Sequence, residues 1–573
     1  MTPFPRSAPE RRPEGWWRRA VVYQIYPRSF QDSNGDDIGD IPGISSRLDH
    51  LQRLGVDVIW LSPVYRSPMV DNGYDISDYR DIDPLFGTLG DMDELLQEAH
   101  ARDIKIVMDL VVNHSSDQHQ WFQESRDPES PKRDWYFWRP AREGMTPGTP
   151  GAEPDDSVAA FAPSSWNFDE RSGEYYLGMF SPGQPDLNWE NPELRQAIHE
   201  MMRFWIDRGV DGFRMDVINL ISKPEGLTRK GHVEIGAADW RKIANGPRLD
   251  EYLAEMNREV GLSELNLLTV GEMPDSTVEV ARSVTDPERH ELNMVFTFEH
   301  MNLDQRRGGE KWDLEELALP ELKKNLATWQ EGLEGAGWNS LYFDNHDQPR
   351  VVSRFGDDSP DHRVNSAKTL ATVLHLHKGT PYIYQGEELG MTNYPFERIE
   401  DFQDVESLNM HAARTAGGVP EAEILHSLAV KGRDNARTPV QWDDSEHAGF
   451  TTGAPWLPVN PNSTTINAAA QIDDPDSVFN HYRQLITLRH DDETVRLGRF
   501  ELLLPDHERI WAFTRTLGAD RLLVIANCSS EPAALPSEGL PEMADAHAIL
   551  TTNSGPARGI LEPWESRVLR LSN

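Results

Sequence analysis

Residues 191–217 read NPELRQAIHEMMRFWIDRGVDGFRMDV. Asn191 and Pro192 supply a helix cap and a first-turn proline. Behind them Leu194, Ile198, Met201, Met202 and Trp205 recur at helical spacing, so one face of the helix is apolar. A strand-like run, 212–217, comes directly after that helix. A helix followed at once by a strand is the repeating unit of a parallel α/β fold. Strands are also predicted at 21–26, 56–62, 104–111, 267–272, 294–298, 340–344 and 381–385. Eight strands alternating with helices predict the α/β class and a (β/α)8 TIM barrel rather than a sandwich.

Two segments interrupt the alternation. Asn113 to about Trp189 is rich in Pro, Gly, Asp and Trp, and far exceeds the roughly 2–6 residues of an ordinary βα loop. It is expected to form an inserted subdomain B, 113–189, after the third strand. The barrel is then expected over 16–112 and 190–495, with a second insertion at about 391–475 after the eighth strand. From about Leu497 the pattern turns to short alternating strands with Gly, Pro and Asp turns, predicting a C-terminal antiparallel β domain at 496–573. Residues 1–15 are expected to be a flexible tail.

Composition narrows the function classes. With 38% hydrophobic and 26% charged residues, the chain is neither disordered nor fibrous. No run approaches the ~18 consecutive apolar residues of a membrane span. Lys+Arg 56 against Asp+Glu 95 gives a net charge of -39, which repels phosphate backbones and anionic lipid. Nucleic acid and membrane are therefore excluded as expected partners. The single cysteine, Cys528, allows neither an intrachain disulfide nor a thiolate metal cluster, and reads as a core thiol. The Pro/Arg-rich start lacks the apolar core of a secretory signal, so a cytoplasmic enzyme, monomer or homodimer, is expected.

Four acids fall at or just beyond predicted strand ends: Asp109, Asp216, Glu272 and Asp347. The C-terminal rim is where a (β/α)8 barrel builds its active site. Most have a basic neighbour: His114 near Asp109, Arg214 by Asp216, His346 by Asp347. Glycoside hydrolysis uses such a set, one carboxylate attacking the anomeric carbon and a second, protonated, serving the leaving oxygen. The 17 Trp and 14 Tyr would suit stacking on sugar faces.

Asp109-Leu110-Val111-Val112-Asn113-His114, Gly212-Phe213-Arg214-Met215-Asp216, Val270-Gly271-Glu272 and Phe343-Asp344-Asn345-His346-Asp347 occur in that order. Together they resemble the four sequence regions of the α-amylase family of glycoside hydrolases. Gln184-Pro185-Asp186-Leu187-Asn188 resembles a fifth region as found in the oligo-1,6-glucosidase and α-glucosidase branch. Trp16-Trp17 with Val22-Tyr23-Gln24-Ile25-Tyr26-Pro27-Arg28-Ser29-Phe30, and Gly432-Arg433-Asp434-Asn435-Ala436-Arg437-Thr438-Pro439, agree with that branch.

The resemblance implies Asp216 as nucleophile, Glu272 as general acid/base and Asp347 as a third carboxylate gripping the sugar hydroxyls. It gives Asp109 a supporting role. His114, Arg214 and His346 would bind the same glucosyl unit. Asp71, in Asp71-Asn72-Gly73-Tyr74-Asp75, would pair with Arg437 to close the far end of the glucose subsite, with Tyr74 stacked beneath the ring. Phe161 and Phe180 would line the entrance. This implies an exo-acting, retaining α-glucosidase on small oligosaccharides, and Val217 after the nucleophile implies an α-1,6 preference; a maltase-type α-1,4 enzyme or a transglucosidase is the alternative.

Asp32-Ser33-Asn34-Gly35-Asp36-Asp37-Ile38-Gly39-Asp40 places oxygen ligands at alternate positions, as a hard divalent cation requires. Gly43 stands at the twelfth position, which argues against an EF-hand. The resemblance implies a structural calcium held by Asp32, Asn34, Asp36, the Ile38 carbonyl and Asp40, with magnesium as a variant. No organic cofactor is expected. A sucrose isomerase is disfavoured because its Arg-Leu-Asp-Arg-Asp segment is absent. A non-catalytic transporter subunit is disfavoured because all three acids are present.

Overall fold

The computed structural model describes residues 11–224, 227, 242–553 and 559–572. Eight parallel strands carry the architecture: β1 Val22–Ile25, β2 Val58–Leu61, β3 Lys105–Val111, β4 Gly212–Asp216, β5 Leu268–Glu272, β6 Met294–Phe296, β7 Ser340–Leu341 and β8 Thr380–Tyr384. Each falls within a residue or two of its predicted position except β7. That run stops at Leu341 because the residues after it turn: Asp344 Oδ2 accepts the Val351 N–H at 3.1 Å, and Asn345 bridges to Gln348.

The chain divides into two compact units. The first comprises 1–14, 61–96 and 106–298. Its strands run in the order β6-β5-β4-β3. The 191–217 segment is a helix, Pro192–Arg208, whose Asn191 side chain accepts from the N–H groups of Glu193 and Leu194. Leu194, Ile198, Met201, Met202 and Trp205 are all buried, each side chain adding about 1.5–3 kcal/mol of apolar transfer. Gly209 ends the helix in the left-handed region at φ 111°, and β4 begins three residues later. Between β3 and that helix lies a three-stranded antiparallel sheet, Trp138–Arg139, Glu174–Leu177 and Trp166–Asp169 in spatial order. Its apolar face, with Phe137, Trp166, Tyr175, Leu177 and Met179, packs on Val217 and Leu220 behind β4.

Strand register explains why chemistry collects in this unit. Asp109 of β3 is the Cα partner of Arg214 in β4, and Arg214 in turn is the partner of Val270 in β5. Side chains alternate faces along a strand, so Asp216, two residues beyond Arg214, and Glu272, two beyond Val270, lie on the same face as Asp109 and Arg214. Of the tail expected at 1–15, residues 1–10 lie outside the described residues. The Arg12 N–H donates to the Leu265 carbonyl at 3.0 Å, and its guanidinium pairs with Asp211.

The second unit comprises 15–60, 97–105 and 299–573. Its parallel strands run β2-β1-β8-β7, with Val22 registered on Tyr382 and Ser340 on Thr380. After β8, the helices Val405–Ala416 and Glu421–Lys431 close a small core of Trp312, Phe396, Phe402, Met410, Ile424 and Leu428. The helix Val478–Asp491 precedes an antiparallel sheet of β9 Arg499–Leu503, β10 Ile510–Leu517, β11 Asp520–Asn527, β12 His547–Thr551 and β13 Ser566–Arg570, ordered β9-β10-β11-β13-β12. Cys528 follows β11, and burial pushes its thiol up to about 12. No helix among the described residues is long and apolar enough to cross a membrane.

Candidate active site

In the first unit one buried guanidinium organises three acids. Arg214 Nη1 donates to Asp109 Oδ1 at 2.8 Å and to Asp216 Oδ1 at 2.7 Å, while Nη2 reaches Glu272 Oε2 at 2.7 Å. Arg214 is 1% exposed and Asp109 fully enclosed; Asp216 and Glu272 keep about a tenth of their side-chain surface open. The same Glu272 oxygen accepts the Val217 N–H at 3.0 Å. Asp216 and Glu272 thus share the one guanidinium, on its Nη1 and Nη2.

Three acids around one cation cannot all ionise away from water. Burial raises the Asp216 carboxyl well above the carboxylate range; Arg214 opposes this, and the Glu272 and Asp109 charges add to it. Arg214 itself is held charged: its burial is outweighed by Asp109 and Glu272.

The predicted sugar-binding groups of this unit form a chain of contacts that begins at Asp109. The Tyr74 hydroxyl donates to Asp109 Oδ2 at 3.0 Å, and the Arg214 guanidinium carbon lies 5.9 Å from the Tyr74 ring centroid. His114 is buried, its Nε2 3.0 Å from the Tyr74 carbonyl, and burial lowers its pKa so that it stays neutral. Its ring tilts against Phe180 at 4.9 Å, and Phe180 meets Phe161 at 6.1 Å. Asp71 Oδ2 accepts from Gln184 Nε2 at 3.0 Å. Gln184 and Lys223 were not singled out from the sequence as site residues. Gln184 lies in the quoted fifth motif, and Lys223 carries no motif signal at all.

Val217 stands in the left-handed region at φ 35°, ψ 43°. A β-branched residue avoids that region, at a cost of about 1–3 kcal/mol. Here the conformation turns the chain sharply after β4 and aims the Val217 N–H at Glu272.

The second unit holds a cluster of opposite balance. Arg437 Nη2 donates to Asp347 Oδ1 at 2.7 Å, Nη1 to Asp404 Oδ2 at 2.6 Å and Nε to the His346 carbonyl at 3.0 Å. Arg433 reaches Asp347 at 3.3 Å and Asp404 at 2.9 Å. His346 Nε2 lies 3.4 Å from Asp347 Oδ2, its Nδ1 contacts Gln24 Nε2 at 2.8 Å, and its ring stacks on Tyr26. Burial alone would raise Asp347, but His346, Arg433 and Arg437 outweigh it and hold this carboxyl well below its usual range. Asp404 is lowered in the same way, Arg433 and Arg437 overcoming its burial. Asp347 nevertheless keeps a third of its side chain exposed. Asp404 lies inside the second insertion, where no motif marks it.

The predicted cation loop, also in the second unit, is built from successive Asx turns. Asp32 Oδ1 accepts the Asn34 and Gly35 N–H groups at 2.9 and 2.8 Å, Asn34 Oδ1 that of Asp36 at 2.8 Å, and Asp36 Oδ1 that of Ile38 at 3.2 Å. Asn34 Nδ2 donates to Asp36 Oδ2 at 3.0 Å, so alternate side chains converge. Asp40 caps the helix Ile41–Ser46 through the Gly43 N–H. The donors are all oxygen, the chemistry of a hard cation. Among the described residues, no three His, Cys, Asp or Glu side chains are grouped to hold a metal ion.

Comparison with known proteins places this geometry. Residues 24–498 match the family model described as Alpha amylase, catalytic domain, and the chain belongs to the α-amylase family of glycoside hydrolases. Its eight parallel strands and C-terminal sheet are that family's (β/α)8 barrel and antiparallel β domain. The chain is 54% identical to an oligo-1,6-glucosidase of Parageobacillus thermoglucosidasius, over 97% of this chain and 99% of the relative. Among solved structures, a variant trehalose-6-phosphate hydrolase of Bacillus licheniformis superposes with a TM-score of 0.92 at 45% identity, covering 97% of this chain and 100% of the other. An isomaltulose synthase of Erwinia rhapontici NX5 follows at 0.90 and 41%, covering 98% and 100%.

Proposed function

We propose that this chain is an exo-acting, retaining α-glucosidase that releases glucose from the non-reducing end of short oligosaccharides and prefers α-1,6 linkages. The observation that carries the reading is the Asp216–Glu272 pair, two carboxyl groups held by one buried guanidinium at the ends of β4 and β5. Double displacement needs one ionised and one protonated carboxyl about 5–5.5 Å apart. Asp216 attacks the anomeric carbon as the bond to the leaving oxygen breaks, and Glu272 protonates that oxygen. Glu272 then takes a proton from water, whose oxygen displaces Asp216 and restores the α configuration.

The remaining roles follow the family's motifs. Asp347, His346, His114 and Arg214 hold the glucosyl unit, and Tyr74 stacks beneath it. Asp71 and Arg437 bind its terminal hydroxyls, and Phe161 and Phe180 flank the entry. The lowered Asp347 suits a carboxylate that stays ionised while gripping hydroxyls. The 54% identity to an oligo-1,6-glucosidase supports the linkage preference, together with Val217 after the nucleophile. Kinetic constants on isomaltose, panose, maltose, sucrose and trehalose test the reading: kcat/KM should be highest for the α-1,6-linked substrates. A higher value on maltose or trehalose overturns it. Mostly rebuilt saccharides from concentrated maltose would assign the site to transglucosylation instead.

The loop of Asp32, Asn34, Asp36, Ile38 and Asp40 is proposed to hold calcium, which would brace the segment after β1 without entering the chemistry. Chelation should lower the melting temperature and added calcium restore it; no shift with EDTA rejects the site. A cytoplasmic enzyme, monomeric or homodimeric, is part of the same proposal, as is the exclusion of nucleic acid supported by the net charge of -39.

A further inference from the structure

Lys223 is 1% exposed, and its ammonium lies 2.6 Å from both Asn113 Oδ1 and Asp186 Oδ1. An ammonium only donates, so the Asn113 oxygen must face it and the carboxamide cannot flip. Asn113 Nδ2 then points at His114 Nδ1 and Asp186 Oδ1, each 3.2 Å away. That nitrogen also only donates, which leaves His114 Nδ1 with its lone pair and puts the ring proton on Nε2. The other end agrees, because His114 Nε2 faces the Tyr74 carbonyl at 3.0 Å, which only accepts. Gln184 Nε2 approaches the same ring nitrogen at 3.3 Å, but its protons are directed to Asp71 at 3.0 Å and the Tyr74 carbonyl at 3.4 Å.

We propose that Lys223 is a positioning residue that fixes the tautomer of His114 through Asn113. The charge acts through one rigid amide rather than by touching sugar, and it keeps a neutral imidazole in one orientation with a proton on Nε2. Without the ammonium, the Asn113 oxygen loses its donor, the amide is held only by Asp186 at 3.2 Å and the ring only by the Tyr74 carbonyl, and the second tautomer of His114 gains population. The kinetic consequence rests on the proposed placement of His114 against the glucosyl unit; the tautomer itself does not.

The test is 15N NMR of the full chain labelled at histidine, with the His114 resonances assigned by their loss in His114→Gln. Wild type should show a pyridine-like Nδ1 and a pyrrole-like Nε2. Lys223→Met should move both toward an average and lower kcat/KM on isomaltose at least tenfold, mainly through KM. Protonated Nδ1 in wild type, or an unchanged pattern in Lys223→Met, overturns the proposal. If Lys223→Met does not fold, Asn113→Ala removes the same relay, and an unchanged pattern there is equally decisive against it. Averaged tautomers with unchanged kcat/KM would instead overturn the placement of His114 at the sugar.

Discussion

Around Arg214 three carboxyl groups converge on one guanidinium, whereas around Asp347 and Asp404 two guanidiniums converge on two carboxyl groups. The residue types are the same and both clusters are largely buried, yet the protonation states diverge. In the first, burial wins and the Asp216 carboxyl is raised well above the carboxylate range. In the second, the cations win, and Asp347 and Asp404 remain ionised. The number of cations per acid decides the outcome, because each added guanidinium in a low-dielectric site offsets one desolvated charge. Acid–base chemistry needs the first balance; steady gripping of hydroxyls needs the second.

The largest effect should come from breaking the cluster around Arg214. Asp216→Ala removes the group that forms the covalent intermediate, and kcat/KM on p-nitrophenyl α-glucoside should fall by about 10⁴-fold or more. Residual activity within about tenfold of wild type would refute its role. Glu272→Gln should cost about 10²–10⁴-fold on isomaltose but clearly less on the nitrophenyl substrate, whose leaving group departs without a proton. Equal losses on both would remove Glu272 as the acid.

Stability should respond with opposite signs in the two clusters. Asp404→Asn leaves Arg433 and Arg437 sharing one acid fewer in an enclosed site, and should destabilise by about 3–5 kcal/mol. Because Asp404 is lowered in the fold, its contribution is present above the ordinary carboxylate pKa and is lost as pH falls. Asp216 is raised, so its contribution is intact below the unfolded pKa and is lost as pH rises through the folded one. Asp216→Asn should therefore be more stable than wild type by about 0.5–2 kcal/mol above neutrality, the gain growing with pH. Urea midpoints measured across pH check both; the same sign for the two variants would break the contrast.

The two clusters were not equally legible in the sequence. Asp109, Arg214, Asp216 and Glu272 stand at strand ends, where a two-residue alternation and a parallel register bring them onto one face. Strand order and spacing thus carry most of that geometry. Asp347 and Arg437 were visible through motifs, but Asp404 lies in the second insertion after β8, with no periodicity to mark it as a partner of both arginines. Lys223 was hidden for another reason: nothing local distinguishes a buried lysine from a solvated one. Strand β7 is shorter than predicted because its apolar run continues through Phe343 while the chain turns at Asp344, whose side chain accepts the Val351 N–H.

Val217 offers the smallest and most discriminating test, since it touches the Arg214 cluster through its backbone and the inserted sheet through its side chain. Val217→Ala trims the side chain and should shift the isomaltose-to-maltose ratio of kcat/KM toward maltose by about tenfold, near the lower bound for a small change of pocket shape. Displacing the amide from Glu272 would instead lower both substrates together and leave the ratio alone. Val217→Gly separates the two, because glycine adopts φ 35° without strain and keeps the N–H where it is. A ratio shift in both variants assigns linkage choice to the side chain, and a common loss confined to Val217→Ala assigns the residue to holding the acid. An unchanged ratio in both discards the linkage argument.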